Sequence, residues 1–207
     1  MDSDEDVLTR SSASVKALKA KGRAPHDMTD LTGLEKEFEG ASDRAYVILW
    51  ATVLEDYLRQ LLPYKMRQPL GADLSSRLFE ERGPLESFSA KILLGFAIKL
   101  FGRKTYHDLE IIRALRNEFA HRRKPLHFST PEVNTVCATL LLPDLQCAKV
   151  PPNAVVRARA RDVRLSPRDA QTRYAVAAQT IIINLATVYE RKSKPLLTEE
   201  QISYLLP

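Results

Sequence analysis

The chain is poor in cysteine, in glycine and in long apolar runs, and each shortage excludes a class of protein. Its 207 residues include two cysteines and seven glycines. Cys137 and Cys147 form no CxxC pair and have no histidine cluster nearby, so we expect neither a zinc site nor a disulfide framework. Glycine-rich phosphate loops and the GxSxG and HExxH motifs are also absent from the sequence. The sequence therefore predicts no metal and no cofactor.

Nothing in the sequence predicts contact with a membrane. No window reaches the roughly 18 uninterrupted apolar residues that a membrane span requires. The opening MDSDEDVLTR is acidic and has no apolar core, which argues against a signal peptide. Hydrophobic residues make up 44% of the chain and charged residues 28%, as in an ordinary globular protein. We expect a cytoplasmic, soluble protein.

The net charge of +5 permits a polyanionic partner but does not require one. Two basic clusters are candidates for nucleic-acid binding, and the first is Arg122, Arg123 and Lys124. These cations also complement the dipole at a helix C-terminus, which explains them equally well. The second and denser cluster consists of Arg157, Arg159, Arg161 and Arg164. An exposed hairpin edge kept soluble by charge is the alternative explanation for that cluster.

Apolar residues recur at helical spacing along most of the chain, which predicts an all-α fold with a single helical-bundle domain. Ser42 and Asp43 offer a cap for the first core helix, and Pro63 is expected to end it. The predicted helices span 44–62, 74–81, 90–101, 105–124, 133–142, 166–192 and 198–206.

The ends of the chain differ in composition from its centre. The composition of residues 1–30 predicts a flexible N-terminal arm, and that of residues 31–207 predicts the helical domain. Within that domain, the sequence predicts a basic extended segment interrupted by prolines over residues 145–165 and C-terminal helices over residues 166–206. Alternation with period two predicts a short extended or β-like piece near 153–163.

The stretch Asp108–Lys124 combines an apolar stripe with polar residues on one helix. Arg116 lies at the edge of the stripe, and Asn117 and His121 are four residues apart on one face. We expect Arg116 to be half covered and to reach towards an acid. Glu55 on the first helix is the candidate, as a half-buried ion pair where two helices meet. The alternative is that Glu55 is simply solvated.

The segment Arg116-Asn117-Glu118-Phe119-Ala120-His121 resembles the Arg-x4-6-His signature of the HEPN superfamily. Segments 41–44, 54–58, 83–92 and 112–121, in that order, resemble the bacterial mannitol operon repressor (MltR-type) family, over about residues 42–142. The resemblance implies an all-helical regulator of transcription without a recognised DNA-binding motif. We expect a homo-oligomer, as a dimer, whose partner is another regulatory protein or nucleic acid. Arg116, Asn117 and His121 would then serve only as a polar brace.

The HEPN resemblance leaves a second function open, a metal-independent endoribonuclease. A dimer would bring two motifs together, with His121 as general acid or base. Arg116 would stabilise charge on the phosphorane, and Asn117 would orient the histidine.

The start of the third predicted helix offers a possible anion site. Ser87, Ser89 and Lys91 lie where free backbone N–H groups could hold an anion. Capping of the helix by Ser87 or Ser89 explains these serines equally well, and it is the explanation that we prefer.

Overall fold

The computed structural model describes residues 38, 40–66, 71–80, 82–149 and 169–190. Within these ranges the protein forms helices and no strand, which confirms the all-α class. The predicted N-terminal arm, the extended piece near 153–163 and the final helix at 198–206 lie outside the described residues. The helices are α1 Asp43–Lys65, α2 Ala72–Phe79, α3 Phe88–Ala97, α4 Arg103–His121, α5 Pro131–Ala138, α6 Leu142–Lys149 and α7 Ala170–Glu190.

Helix α1 begins where the sequence predicts it. The Ser42 hydroxyl accepts a hydrogen bond from the backbone N–H of Ala45 at 3.3 Å and so caps the first turn. Pro63 does not end the helix, which continues to Lys65. A proline in the last turn removes only one internal hydrogen bond, and the fully buried Leu61 and Leu62 hold that turn against the core.

Helix α4 is the centre of the bundle. It packs against α1 and α3, while α7 packs against α1, α5 and α6. The predicted stripe is buried, with Leu109, Ile112 and Phe119 fully covered and Leu115 nearly so. The apolar periodicity of this stretch therefore identified both the helix and its core face.

Helix α3 is shorter than the sequence suggests. Ser87 caps it through a 3.1 Å hydrogen bond from Ala90 N–H, so it starts at Phe88. It ends at Ala97 instead of 101, because Lys99 adopts a left-handed backbone conformation with φ of 58° that an α-helix cannot include.

The turn before α3 requires a glycine. A Cβ atom at Gly83 would lie 2.4 Å from the carbonyl oxygen of Leu78 and 2.7 Å from that of Arg77. Both oxygens belong to the backbone of α2, so no side chain can move aside to make room. The close approach lets Leu85 N–H donate to Leu78 O at 2.9 Å.

The segment predicted as one helix over 133–142 is two helices, α5 and α6, with a break at residues 139–141. Helix α6 also makes residues 145–149 helical, although the sequence assigned them to the basic extended segment. Helix α7 is described from Ala170, and the Asp169 carboxylate accepts a hydrogen bond from Thr172 N–H at 2.9 Å. The predicted start at Ser166 lies outside the described residues.

Phe128 joins the loop after α4 to three helices. Its ring centroid lies 5.8 Å from those of Phe119 on α4 and Tyr174 on α7, and 6.0 Å from that of Tyr46 on α1. The Tyr174 hydroxyl, in turn, donates to the backbone carbonyl of Val47 at 3.0 Å. This aromatic group fixes the α4–α5 loop against the core.

Candidate functional site

The three polar residues of the central helix are only partly brought together. Arg116 Nη1 donates a hydrogen bond to Asn117 Oδ1 at 3.1 Å, and both side chains are half-buried. His121 lies one turn later and is exposed. Among the described residues, no hydrogen bond joins Asn117 to His121. The amide therefore holds the guanidinium and leaves the imidazole free at the helix end.

Glu55 lies at a helix junction, as expected, but its partner is a lysine. Lys91 Nζ on α3 donates to Glu55 Oε1 at 2.7 Å and also to the Glu86 carbonyl. The predicted ion pair between Arg116 and Glu55 is therefore not formed among the described residues. The reason is packing. Helix α3 lies against α1 and places the long side chain of Lys91 beside the Glu55 carboxylate, where the prediction had placed Arg116.

The same pairing decides between the two explanations of the α3 start. Lys91 is 2% exposed, so its ammonium group is not available to an external anion. Ser87 serves as the N-cap, and Ser89 is exposed. Capping is the role that the contacts support.

A basic surface lies where α4 ends. It consists of the half-buried Arg44 and the exposed His121, Arg122, Arg123 and Lys124, and we call these five residues the basic end. Arg44 reaches it from α1, donating from Nη2 to the Arg122 carbonyl at 2.6 Å. Arg122 also donates to Glu118 at 2.8 Å, but these side chains are 60% and 56% exposed, so the pair contributes little stability. Arg123 and Lys124 have no partner within the described part of the chain.

The loop after the basic end is fixed by an acid on α1. Asp43 Oδ2 accepts a hydrogen bond from Phe128 N–H at 2.9 Å and lies 3.4 Å from Nδ1 of His127. The second basic cluster, Arg157, Arg159, Arg161 and Arg164, lies outside the described residues. Its role as a nucleic-acid contact stays a prediction.

Asp108 is a buried acid that the sequence did not single out. Its side chain is fully buried, and its carboxylate accepts hydrogen bonds from the N–H groups of Leu141 at 2.9 Å and Leu142 at 2.8 Å. These donors open α6, so Asp108 caps a helix that lies 33 residues further along the chain. No local pattern predicts such a cap.

Arg173 is the corresponding buried cation on α7. It is 6% exposed and donates to the carbonyls of Cys137 at 3.0 Å and Leu140 at 2.5 Å, and to Asp144 Oδ1 at 2.7 Å. The hydrogen bond from Arg173 lowers the pKa of Asp144, and the same bond raises the pKa of Arg173. Arg173 therefore closes α5 and holds α6 to α7.

Cys137 is not suited to nucleophilic chemistry. It is fully buried, and burial raises the pKa of its thiol to about 12. A thiol of that pKa stays protonated near neutral pH and does not attack substrates. Among the described residues, no group of three His, Cys, Asp or Glu side chains could hold a metal ion.

None of the described helices combines the length and apolar character needed to cross a bilayer.

Comparison with protein-family models, with curated proteins and with solved structures found no match.

Proposed function

We propose that the protein is a transcriptional regulator of the mannitol-repressor type, which works by binding and not by catalysis. The observation that carries the proposal is the exposed basic end of α4. In this proposal, the basic end contacts the phosphate backbone of DNA. The protein makes that contact weakly and without a helix-turn-helix motif.

The charges around the basic end support a polyanion as the partner. Four permanent cations, Arg44, Arg122, Arg123 and Lys124, lie beside two acids, Asp43 and Glu118. Four positive charges against two negative charges leave a surplus of two. Arg123 and Lys124 are exposed and have no described partner, so phosphates can reach them without breaking an ion pair.

Arg116 keeps its polar contact within α4, so the brace at a helix junction that the sequence predicts is not formed by hydrogen bonds or ion pairs among the described residues. Its guanidinium is half-buried and bonded to Asn117, which lies on the same helix. Such a contact fixes side chains at the edge of the core and needs no substrate.

The test is the salt dependence of binding to a labelled DNA duplex, followed by fluorescence anisotropy. Each phosphate contact contributes about one unit to the slope of log affinity against log salt. We therefore expect Arg123→Gln/Lys124→Gln to reduce the slope by about two units.

The matched control is Arg59→Gln/Arg77→Gln, which removes the same charge from α1 and α2. It should leave most of the slope in place. Equal slopes for both double variants, or no binding to DNA at all, would contradict the proposal. In the second case, the repressor would have to act through a protein partner.

A specific observation favours one other function, the HEPN-type endoribonuclease. Arg116 and Asn117 are already in contact, and the exposed His121 on the same helix is accessible to RNA. In this alternative, His121 transfers a proton at the attacked phosphate, and Arg116 stabilises the charge that develops there. A homodimer would supply the second copy of the motif.

Cleavage of a labelled RNA in the presence of a chelator tests this alternative. His121→Ala and Arg116→Ala should abolish cleavage, while His127→Ala, which removes another exposed histidine, should not. Purified protein that leaves the RNA intact would remove the alternative. Light scattering on the same sample would measure whether the protein is a dimer.

A further inference from the structure

A second histidine has surroundings that none of the functions above uses. His107, in the first half of α4, has a side chain that is 43% exposed, while the adjacent Asp108 is fully buried. His107 Nδ1 lies 2.9 Å from Asp108 Oδ1. An imidazole at the surface is thus held by a carboxylate in the core.

The other contacts of Asp108 determine which nitrogen of His107 carries the proton. The carboxylate already accepts hydrogen bonds from the N–H groups of Leu141 and Leu142, so it acts as an acceptor. His107 Nδ1 must therefore donate to it. In the neutral ring, the lone pair then lies on Nε2, on the edge opposite the buried acid.

The charges near His107 favour an anionic reactant. Arg103 and Lys104 precede it by four and three residues, so they lie on the same side of α4, and both are exposed. Neither has a partner among the residues that the structure describes. The nearby acid Glu110 is neutralised by Arg113, whose Nη2 donates to it at 2.7 Å.

We propose that His107 is a phosphoryl-accepting site, modified on Nε2 by a small phosphoryl donor with a readily departing group, such as a phosphoramidate or an acyl phosphate. The Nε2 lone pair forms the new N–P bond while the bond between phosphorus and the leaving group breaks with its electron pair. The leaving group departs as ammonia from phosphoramidate, whose nitrogen is already protonated, or as a carboxylate from an acyl phosphate, so neither needs a proton from the protein. The ring becomes a phosphorylated imidazolium that keeps its Nδ1 proton, and Asp108 stabilises the positive charge.

The proposal does not depend on DNA binding, because it uses residues outside the basic end. The proposal requires only that an imidazole oriented by a buried carboxylate react faster with the phosphoryl donor than an imidazole that has no such carboxylate. His121 provides the comparison within the same chain, since it is exposed and has no acidic partner in the described structure.

The experiment exposes the full-length protein to phosphoramidate and locates the acid-labile, base-stable phosphoryl group by mass spectrometry. We expect His107 to be modified about tenfold faster than His121, which is below the range that a well-positioned acid–base partner supplies in an enzyme. Equal modification of His107 and His121, or none at His107, would overturn the proposal.

A variant separates reactivity from a structural role. His107→Asn keeps an N–H donor near the position of Nδ1 but has no Nε2 nucleophile. It should lose the label at position 107 and unfold at the same urea concentration as the wild type. Because the site is mapped on the wild-type chain, the rate comparison decides the question even if this variant is unstable.

Discussion

At the scale of single residues, Glu55 and Asp56 are adjacent acids with different surroundings. Glu55 is 24% exposed and pairs with the buried Lys91, whereas Asp56 is 32% exposed and lies 3.7 Å from Arg59. A buried ammonium that loses its carboxylate is costly, while a pair of partly solvated side chains 3.7 Å apart contributes little.

Glu55→Gln should therefore lower the free energy of unfolding by about 2 kcal/mol, less than for a fully buried pair because Glu55 is partly solvated. The control Asp56→Asn should change it by less than about 0.5 kcal/mol. Urea denaturation measures both. If the two variants lose the same stability, the pair with Lys91 has no special role.

The partner of Glu55 could not be predicted from the sequence. Its position at a helix junction follows from the apolar face of α1, which the periodicity shows. The choice between Arg116 and Lys91 depends on how closely α3 and α4 approach α1. Helical spacing contains no information about that approach, so the sequence identified the acid and assigned the wrong base.

Asp144 should make stability depend on pH. Arg173 holds the pKa of Asp144 below its ordinary value in the folded state. The stabilisation is therefore complete above the ordinary value of about 3.9 and is lost as the pH falls through the lower folded value. Its size should stay below about 1 kcal/mol, because the Asp144 side chain is 61% exposed.

Asp144→Asn removes this titration. The difference in unfolding free energy between wild type and variant should be present at neutral pH and should disappear at about pH 2. Chemical denaturation at both values would show it. A difference that stays constant between them would mean that the carboxylate contributes nothing through its charge.

At the scale of helices, α6 depends on a residue of another helix. Asp108→Ala would leave the N–H groups of Leu141 and Leu142 without their acceptor, which should cost about 2–4 kcal/mol. Hydrogen exchange should then show faster exchange of these two amides. Glu110→Gln, two residues further along α4 and bonded only to Arg113 within the described part of the chain, should leave both amides protected.

Helix existence was easier to predict than helix limits. The cap at Ser42 and the stripe around Leu109 are local signals, and both were identified correctly. Of the two serines that the sequence offered as the cap of α3, Ser87 and Ser89, the structure uses Ser87. The division between α5 and α6 was not predicted. It depends on Asp108 and Arg173, which come from helices far away in sequence and stabilise the free ends that the break creates.

At the scale of the whole molecule, Phe128 connects the loop after α4 to α1, α4 and α7. It is 6% exposed and contacts three aromatic rings. Phe128→Ala should reduce the free energy of unfolding by about 3–5 kcal/mol, as for other large-to-small changes in a core.

The control for Phe128 is Leu93→Ala, which shortens a side chain that is 59% exposed. Thermal or urea unfolding should show little change for it. Comparable losses for both variants would mean that the aromatic contacts do not hold the loop. The same unfolding measurement is relevant to the basic end, because the loop that Phe128 holds continues directly from Lys124.

The contact at Gly83 restricts how this sequence can diverge. Any side chain at that position would collide with two carbonyl oxygens of α2, whatever its chemistry. A descendant chain that keeps this corner must therefore keep a glycine there. A glycine at position 83 can therefore serve as a reference point for aligning distantly related sequences that share few other residues.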